Sequence, residues 1–113
     1  MGKPITHEYG QELGILKFFP YEAEAHVIPQ SMANSTVGTA TFVLGGTPYP
    51  SNDANAVGVL LNDVDVTQGD AAGTVVYKGV IDPDKLTAKG VTINAAAKSA
   101  MPQVRIYGEP YDA

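Results

Sequence analysis

The chain has 113 residues and a mass of 11.8 kDa, enough for one small domain that buries about two-thirds of its unfolded surface. Seven basic against twelve acidic side chains give a net charge of −5, which argues against a protein that tracks nucleic-acid phosphates. There is no cysteine, no apolar run near the roughly 20 residues that span a bilayer, and no signal-peptide core in the opening "MGKPITHEYG". The composition therefore excludes a disulfide framework and thiolate metal sites, and predicts a soluble protein made in the cytosol with no membrane partner.

The glycines and prolines are spread along the chain and punctuate many short elements, as suits a β domain. Residues 1–20 stand apart as an N-terminal arm ahead of a β-rich domain over 21–113. The arm carries "LGILKFFP", in which Leu13, Ile15, Leu16, Phe18 and Phe19 follow no clean period and Pro20 closes the run. "EAHVIP" at 24–29 predicts a short strand, "SMANST" at 31–36 a loop, and "VGTATFVLG" at 37–45 the next strand, with alternate residues sharing a face. "GGTPYPSND" at 45–53 is a turn-rich connection. "AVGVLLNDVDV" at 56–66 is the longest predicted strand, but its apolar face changes near Leu61 and Asn62. A bulge, a bend or burial of both faces in its first half accounts for such a change.

"TQGDAAG" at 67–73 predicts a hairpin loop and "TVVYKGVI" at 74–81 the returning strand. In "DPDKL", Asp82 is an N-cap and Pro83 the first residue of a single helical turn. "TINAAAKSAM" at 92–101 predicts a helix capped by Thr92 and closed by Pro102. "QVRIYG" at 103–108 predicts a last strand and "EPYDA" a frayed tail. The expected fold is a mainly β, single-domain β-sandwich or β-barrel-like unit with one short helix near the C-terminus.

Four aspartates surround the longest strand. Asp63 and Asp65 project from one face about 7 Å apart in an extended chain, a spacing open to paired carboxylates or calcium ligands. The calcium-loop pattern fails, because Gln68 stands where the turn needs glycine and Thr74 where the bidentate glutamate belongs. An irregular site of Asp53, Asp63, Asp65 and Asp70 stays open beside the reading of solvated hairpin flanks. His7 and His26 lie in no motif, and no nucleophile–base pattern or glycine-rich phosphate loop accompanies them. They read as surface residues, and no enzyme or cofactor is expected. "NST" at 34–36 matches the glycosylation triplet, which is common by chance. The apolar stretch from Leu13 to Phe19 is either the first strand of the core or a segment that pairs with another molecule's sheet edge.

The run "GTPYPSNDANAVGVLLNDVDVT…GTVVYKGVIDPDKL…INAAAKSAM" resembles bacteriophage and prophage head decoration proteins of the lambda type, and the capsid-bound base of some head fibre proteins. The resemblance covers about residues 36–107, carried by the order and spacing of the "GTP" turn (Gly46, Thr47, Pro48), "AVGVL", "VVYKGVI" and the alanine-rich helix. It implies a homotrimer on the outer surface of the virion, bound to the major capsid protein, with neither catalysis nor cofactor. Residues 1–28 depart from the lambda-type arm in being more apolar. The residues expected to contact the capsid are Leu13, Ile15, Leu16, Phe18 and Phe19. The alternative is a calcium- or carbohydrate-binding β module of a phage tail or adhesion assembly, motivated by the aspartates and the six tyrosines.

Overall fold

The computed structural model describes residues 13–109; His7, the rest of the first twelve residues, and residues 110–113 of the tail lie outside the described residues. The domain is mainly β, with two sheets. The larger runs β1 (Glu22–Ile28), β7 (Ala71–Ile81), β5 (Gly58–Leu60) and β4 (Pro48–Tyr49), with β8 (Val104–Ile106) beside the end of β7. The smaller is β2 (Ser35–Val37), β3 (Ala40–Val43) and β6 (Val64–Asp65). Strand pairs are antiparallel except β7 with β8, whose parallel pairing needs a crossover. Two helices supply it: α1 (Pro83–Lys89) and α2 (Ala95–Ala100).

β7 is the spine. Its neighbours Val75 and Val76 point to opposite faces and enter two separate apolar clusters. Val75 joins Ile28, Val43, Leu60, Val64 and Val66 beneath the smaller sheet. Val76 joins Ile15, Leu16, Val59, Leu61 and Ile81, covered by Leu86 of α1 and by Ile93, Ala97 and Met101. The centre of the larger sheet, β7 and β5, is thus covered on both faces, by a sheet on one side and by helices with the opening segment on the other, while most of β1 stays exposed. That double burial explains β5, where Gly58, Val59 and Leu60 are all buried.

The face change in the 56–66 run is a crossing between sheets. β5 ends at Leu60, the chain bends at Leu61 and Asn62, and β6 resumes in the smaller sheet. Strand 37–45, expected as one element, is instead the turn and second arm of a hairpin. Gly38 and Thr39 form the two-residue loop, and Gly38 takes φ +64°, the position that a II′ turn reserves for glycine. "Ser-Thr-Val" before it pairs back as β2, so part of the predicted loop is strand.

Asp82 caps α1 as the sequence predicts, its carboxylate accepting from the Asp84 N–H at 3.0 Å. The expected single turn runs on to Lys89 because Leu86 reaches the core, and Gly90 in the left-handed region ends it. α2 starts at Ala95, three residues beyond the predicted Thr92 cap. Ile93 is drawn into the core, and an Asn52–Asn94 clamp holds the approach: the Asn94 N–H donates to Asn52 Oδ1 at 2.8 Å, and Asn52 Nδ2 donates to the Thr92 carbonyl at 2.8 Å.

Candidate interaction surface

Residues 13–17 are stitched into the domain. The Ile15 N–H donates to the Leu61 carbonyl at 2.9 Å, the Ile15 carbonyl accepts from the Asp82 N–H at 2.9 Å, and the Lys17 N–H donates to the Val80 carbonyl at 2.8 Å. Leu16 bridges to Ile81, and its carbonyl accepts from Lys85 Nζ at 2.9 Å. Ile15 and Leu16 are fully buried in the main cluster, with Leu13 half-buried against it. Of the five apolar residues expected at a partner, the structure therefore places Ile15 and Leu16 in the core, where closing a marginal hydrophobic cluster decides their position.

Phe18 and Phe19 behave differently. They are 46% and 45% exposed, at the point where the chain leaves the core for β1. Phe18 meets Tyr107 edge-on at 5.5 Å between centroids, and Phe19 stacks on Tyr21 at 6.0 Å. Lys17 Nζ lies 5.0 Å from the Tyr107 ring centroid. Such pairs fix ring orientation and contribute about 0.5–1.5 kcal/mol each, yet leave the outer ring faces open to a partner. Beside them is a depression lined by Phe19, Pro20, Tyr21, Ala23, Glu24, Ala25 and Thr74, where the two alanines leave the space. Sequence reading found Phe18 and Phe19 but missed Tyr107 and Tyr21, because β8 and β1 come together beside them only through β7. Tyr49 lies instead against His26 at 4.9 Å, and Tyr9 and Tyr111 lie outside the described residues.

The aspartates are turn and loop fasteners. Asp53 accepts from the Asn55 N–H and from Ser51 Oγ, which hold its carboxyl below the usual value. Hydrogen bonds from Thr67, its side chain first and then its N–H, hold the Asp65 carboxyl below the usual value too, and Asp70 accepts from the Gln30 N–H at 2.8 Å. Among the described residues no three histidine, aspartate or glutamate side chains gather as a metal site. His26 sits beside Glu24 at 3.0 Å on the surface. Asn34 spends both ends of its amide inside the fold, donating to Thr47 Oγ1 at 2.9 Å and accepting from the Leu44 N–H at 3.0 Å, so the glycosylation triplet is engaged structurally.

Asp63 is the most connected of these carboxylates. It accepts from the Gly45 N–H at 2.8 Å and from Lys89 Nζ at 2.8 Å, tying the β3–β4 turn and α1 to the crossing between sheets. Burial pushes this carboxyl up, but the Gly45 N–H and the Lys89 ammonium outweigh it and hold it below the ordinary carboxylate value. A carboxyl depressed in the folded state adds stability that is present above its unfolded pKa and is lost as pH falls through the folded one. Asp63→Asn is expected to cost about 1 kcal/mol near neutrality, discounted for solvent screening, and to flatten the loss of stability below about pH 4. Urea unfolding of both proteins from neutral to acid pH checks this; parallel profiles would remove the role.

No helix among the described residues is long and apolar enough to cross a membrane. Comparison of the chain with protein-family models, with curated proteins and with solved structures finds no match.

Proposed function

We propose that the chain is a capsid decoration protein, which binds the outer face of a phage head through the major capsid protein and stabilises the shell. The observation that supports it most is the Phe18–Phe19 pair with Tyr21 and Tyr107: a rigid aromatic surface mounted on two buried anchors, Ile15 and Leu16. Half-exposed aromatics held in fixed orientations are the side chains that carry binding energy at protein interfaces. A protein that binds only the assembled shell shifts assembly toward it by mass action, and trimerisation multiplies a weak single contact through avidity. The resemblance of residues 36–107 supplies the trimer, the capsid surface and the virion location in this reading.

The test is sedimentation of the purified protein with expanded, undecorated heads of the phage that encodes it. Co-sedimentation that saturates at a fixed ratio to capsid subunits supports decoration, and heads that leave the protein in the supernatant sink it. The double variant Phe18→Ser/Phe19→Ser is expected to bind at least about tenfold more weakly. Its thermal midpoint should fall only modestly, since the rings contribute little to the core.

A further inference from the structure

We propose that the outer edge of β1 docks an extended segment of the partner that presents two cationic side chains at alternate positions opposite Glu22 and Glu24. This deepens, and rests on, the reading of the same face as a capsid contact.

The direction of the free main-chain groups follows from the hydrogen bonds on the other side of β7. The Leu61 N–H donates to the Thr74 carbonyl at 2.9 Å, so Thr74 and, two residues on, Val76 aim their main-chain groups at β5. Gly73 and Val75 therefore aim theirs at β1, where their partners are His26 and Glu24. By alternation, the N–H and C=O groups of Ala23, Ala25 and Val27 point away from the sheet. β1 ends the strand order, and among the described residues no strand pairs with that edge.

An open edge is commonly blunted by a proline, a bulge or an inward charge. Here Pro20 and Pro29 flank β1 without interrupting its outer face; the register shift in the β1–β7 ladder, between Glu22 and Ala23, lies at the start of the strand and leaves Ala25 and Val27, the latter 65% exposed, beyond it. The side chains are sorted by sign. Glu22 and Glu24 lie exposed on one face: Lys78 is 3.9 Å from Glu22, which also shares a hydrogen bond with Tyr77, and His26 is hydrogen-bonded to Glu24 at 3.0 Å. Partial desolvation, then the Glu22 charge and a hydrogen bond to Glu22, and last the Glu24 charge push the nearby Tyr77 hydroxyl up. The other face of β1 carries Ala23, Ala25 and the exposed Val27, with the two alanines beside the depression under Phe19 and Tyr21.

An antiparallel strand added here places its residues opposite Glu22 and Glu24 in the closely spaced, non-hydrogen-bonded positions, where charge pairing is strongest. Its intervening side chains fall on the alanine side, where β-branched residues fill the depression. His26 selects an acidic or neutral residue opposite itself. The fitting sequence, read antiparallel from Ile28 to Glu22, is thus of the form Thr-Val-Glu-Val-Lys-Val-Lys.

The experiment titrates fluorescein-labelled Thr-Val-Glu-Val-Lys-Val-Lys-amide with the full chain, following anisotropy to about 1 mM protein. Saturable binding is expected. Ala25→Pro removes an outward N–H without touching the β1–β7 ladder, so it should keep the wild-type circular dichroism and weaken binding at least about tenfold. Glu22→Lys/Glu24→Lys should reverse the preference, favouring Thr-Val-Lys-Val-Glu-Val-Glu-amide by about fivefold or more. Absence of saturation, binding indifferent to Ala25→Pro, or no reversal in the charge-swapped variant would each overturn the inference. So would a dimer in light scattering that Ala25→Pro dissolves, since a second copy would then own the edge. The two readings fail separately. Heads that bind wild type and Ala25→Pro equally retain decoration and lose the edge, whereas peptide binding without head binding does the reverse.

Discussion

Leu16→Ala is expected to lower the free energy of unfolding by about 2–5 kcal/mol, the range for truncating a fully buried leucine. Leu16 has no exposed surface, packs in the cluster shared by Val76, Ile81 and Leu86, and bridges to Ile81, which with the Lys17–Val80 bond lays the opening segment against the end of β7. The neighbouring backbone bonds leave little room for collapse around the missing atoms, which places the loss toward the upper part of that range. A domain of this size has about 5–15 kcal/mol in all, so the variant loses a large fraction of its stability. Phe18→Ala, two residues on, should cost only about 1–2 kcal/mol, because it forfeits one edge-on contact with Tyr107 and a half-covered ring without leaving an enclosed cavity. Urea denaturation of the two variants separates the anchor from the contact surface. Equal losses would mean that residues 15–16 and 18–19 are not divided as the structure divides them.

Gly14→Ala is expected to be nearly as damaging, at about 2–5 kcal/mol. Gly14 has φ +51°, a left-handed conformation that costs any other residue roughly 1–2 kcal/mol. A Cβ there would also strike the Leu61 carbonyl oxygen and lie 2.7 Å from Asn62 Oδ1. The obstacle is backbone at the crossing between the two sheets, which cannot swing aside as a flexible side chain can. Gly90→Ala provides the control: Gly90 is also left-handed, at φ +73°, but a Cβ there meets nothing within 4 Å. It should therefore lose only the conformational part, about 1–2 kcal/mol. Thermal unfolding of the pair, compared with wild type, isolates the steric contribution. A Gly14→Ala loss no larger than that of Gly90→Ala would remove the close approach between the opening segment and Leu61.

Much of the fold is legible in local chemistry. The mainly β character follows from short β-prone runs punctuated by glycine and proline, and the Asp82–Pro83 helix start from capping chemistry that needs no tertiary partner. The change of face near Leu61 and Asn62 also has a sequence signal, although choosing between a bulge and a crossing requires knowing that a second sheet lies beneath the first. The hairpin at Gly38 and Thr39 carried a signal as well, a glycine between two β-prone triplets. Continuous alternation from Val37 to Val43 mimics one strand, because a two-residue loop preserves the period of two across the turn.

The aspartates show the limit of composition. Asp53 and Asp65 bond to residues two positions on, so their turn role is local and readable. Asp63 and Asp70 bond to Gly45, Lys89 and Gln30, partners 18 to 40 residues away, and nothing in the local pattern distinguishes them from candidate ligands.

What the sequence determined by itself is the class of the domain, the start of the helix at Asp82 and Pro83, and the presence of an apolar cluster near the N-terminus. Only the tertiary structure decided how that cluster divides. Leu16 and Phe18 are two residues apart in an irregular segment with no helical or strand period to assign them a face. Their separation into anchor and surface is set by Ile81, which receives Leu16, and by Tyr107, which meets Phe18. Ile81 lies 65 residues beyond Leu16 and Tyr107 lies 89 beyond Phe18. Burial is a property of what surrounds a side chain, and here the surroundings come from the far end of the chain.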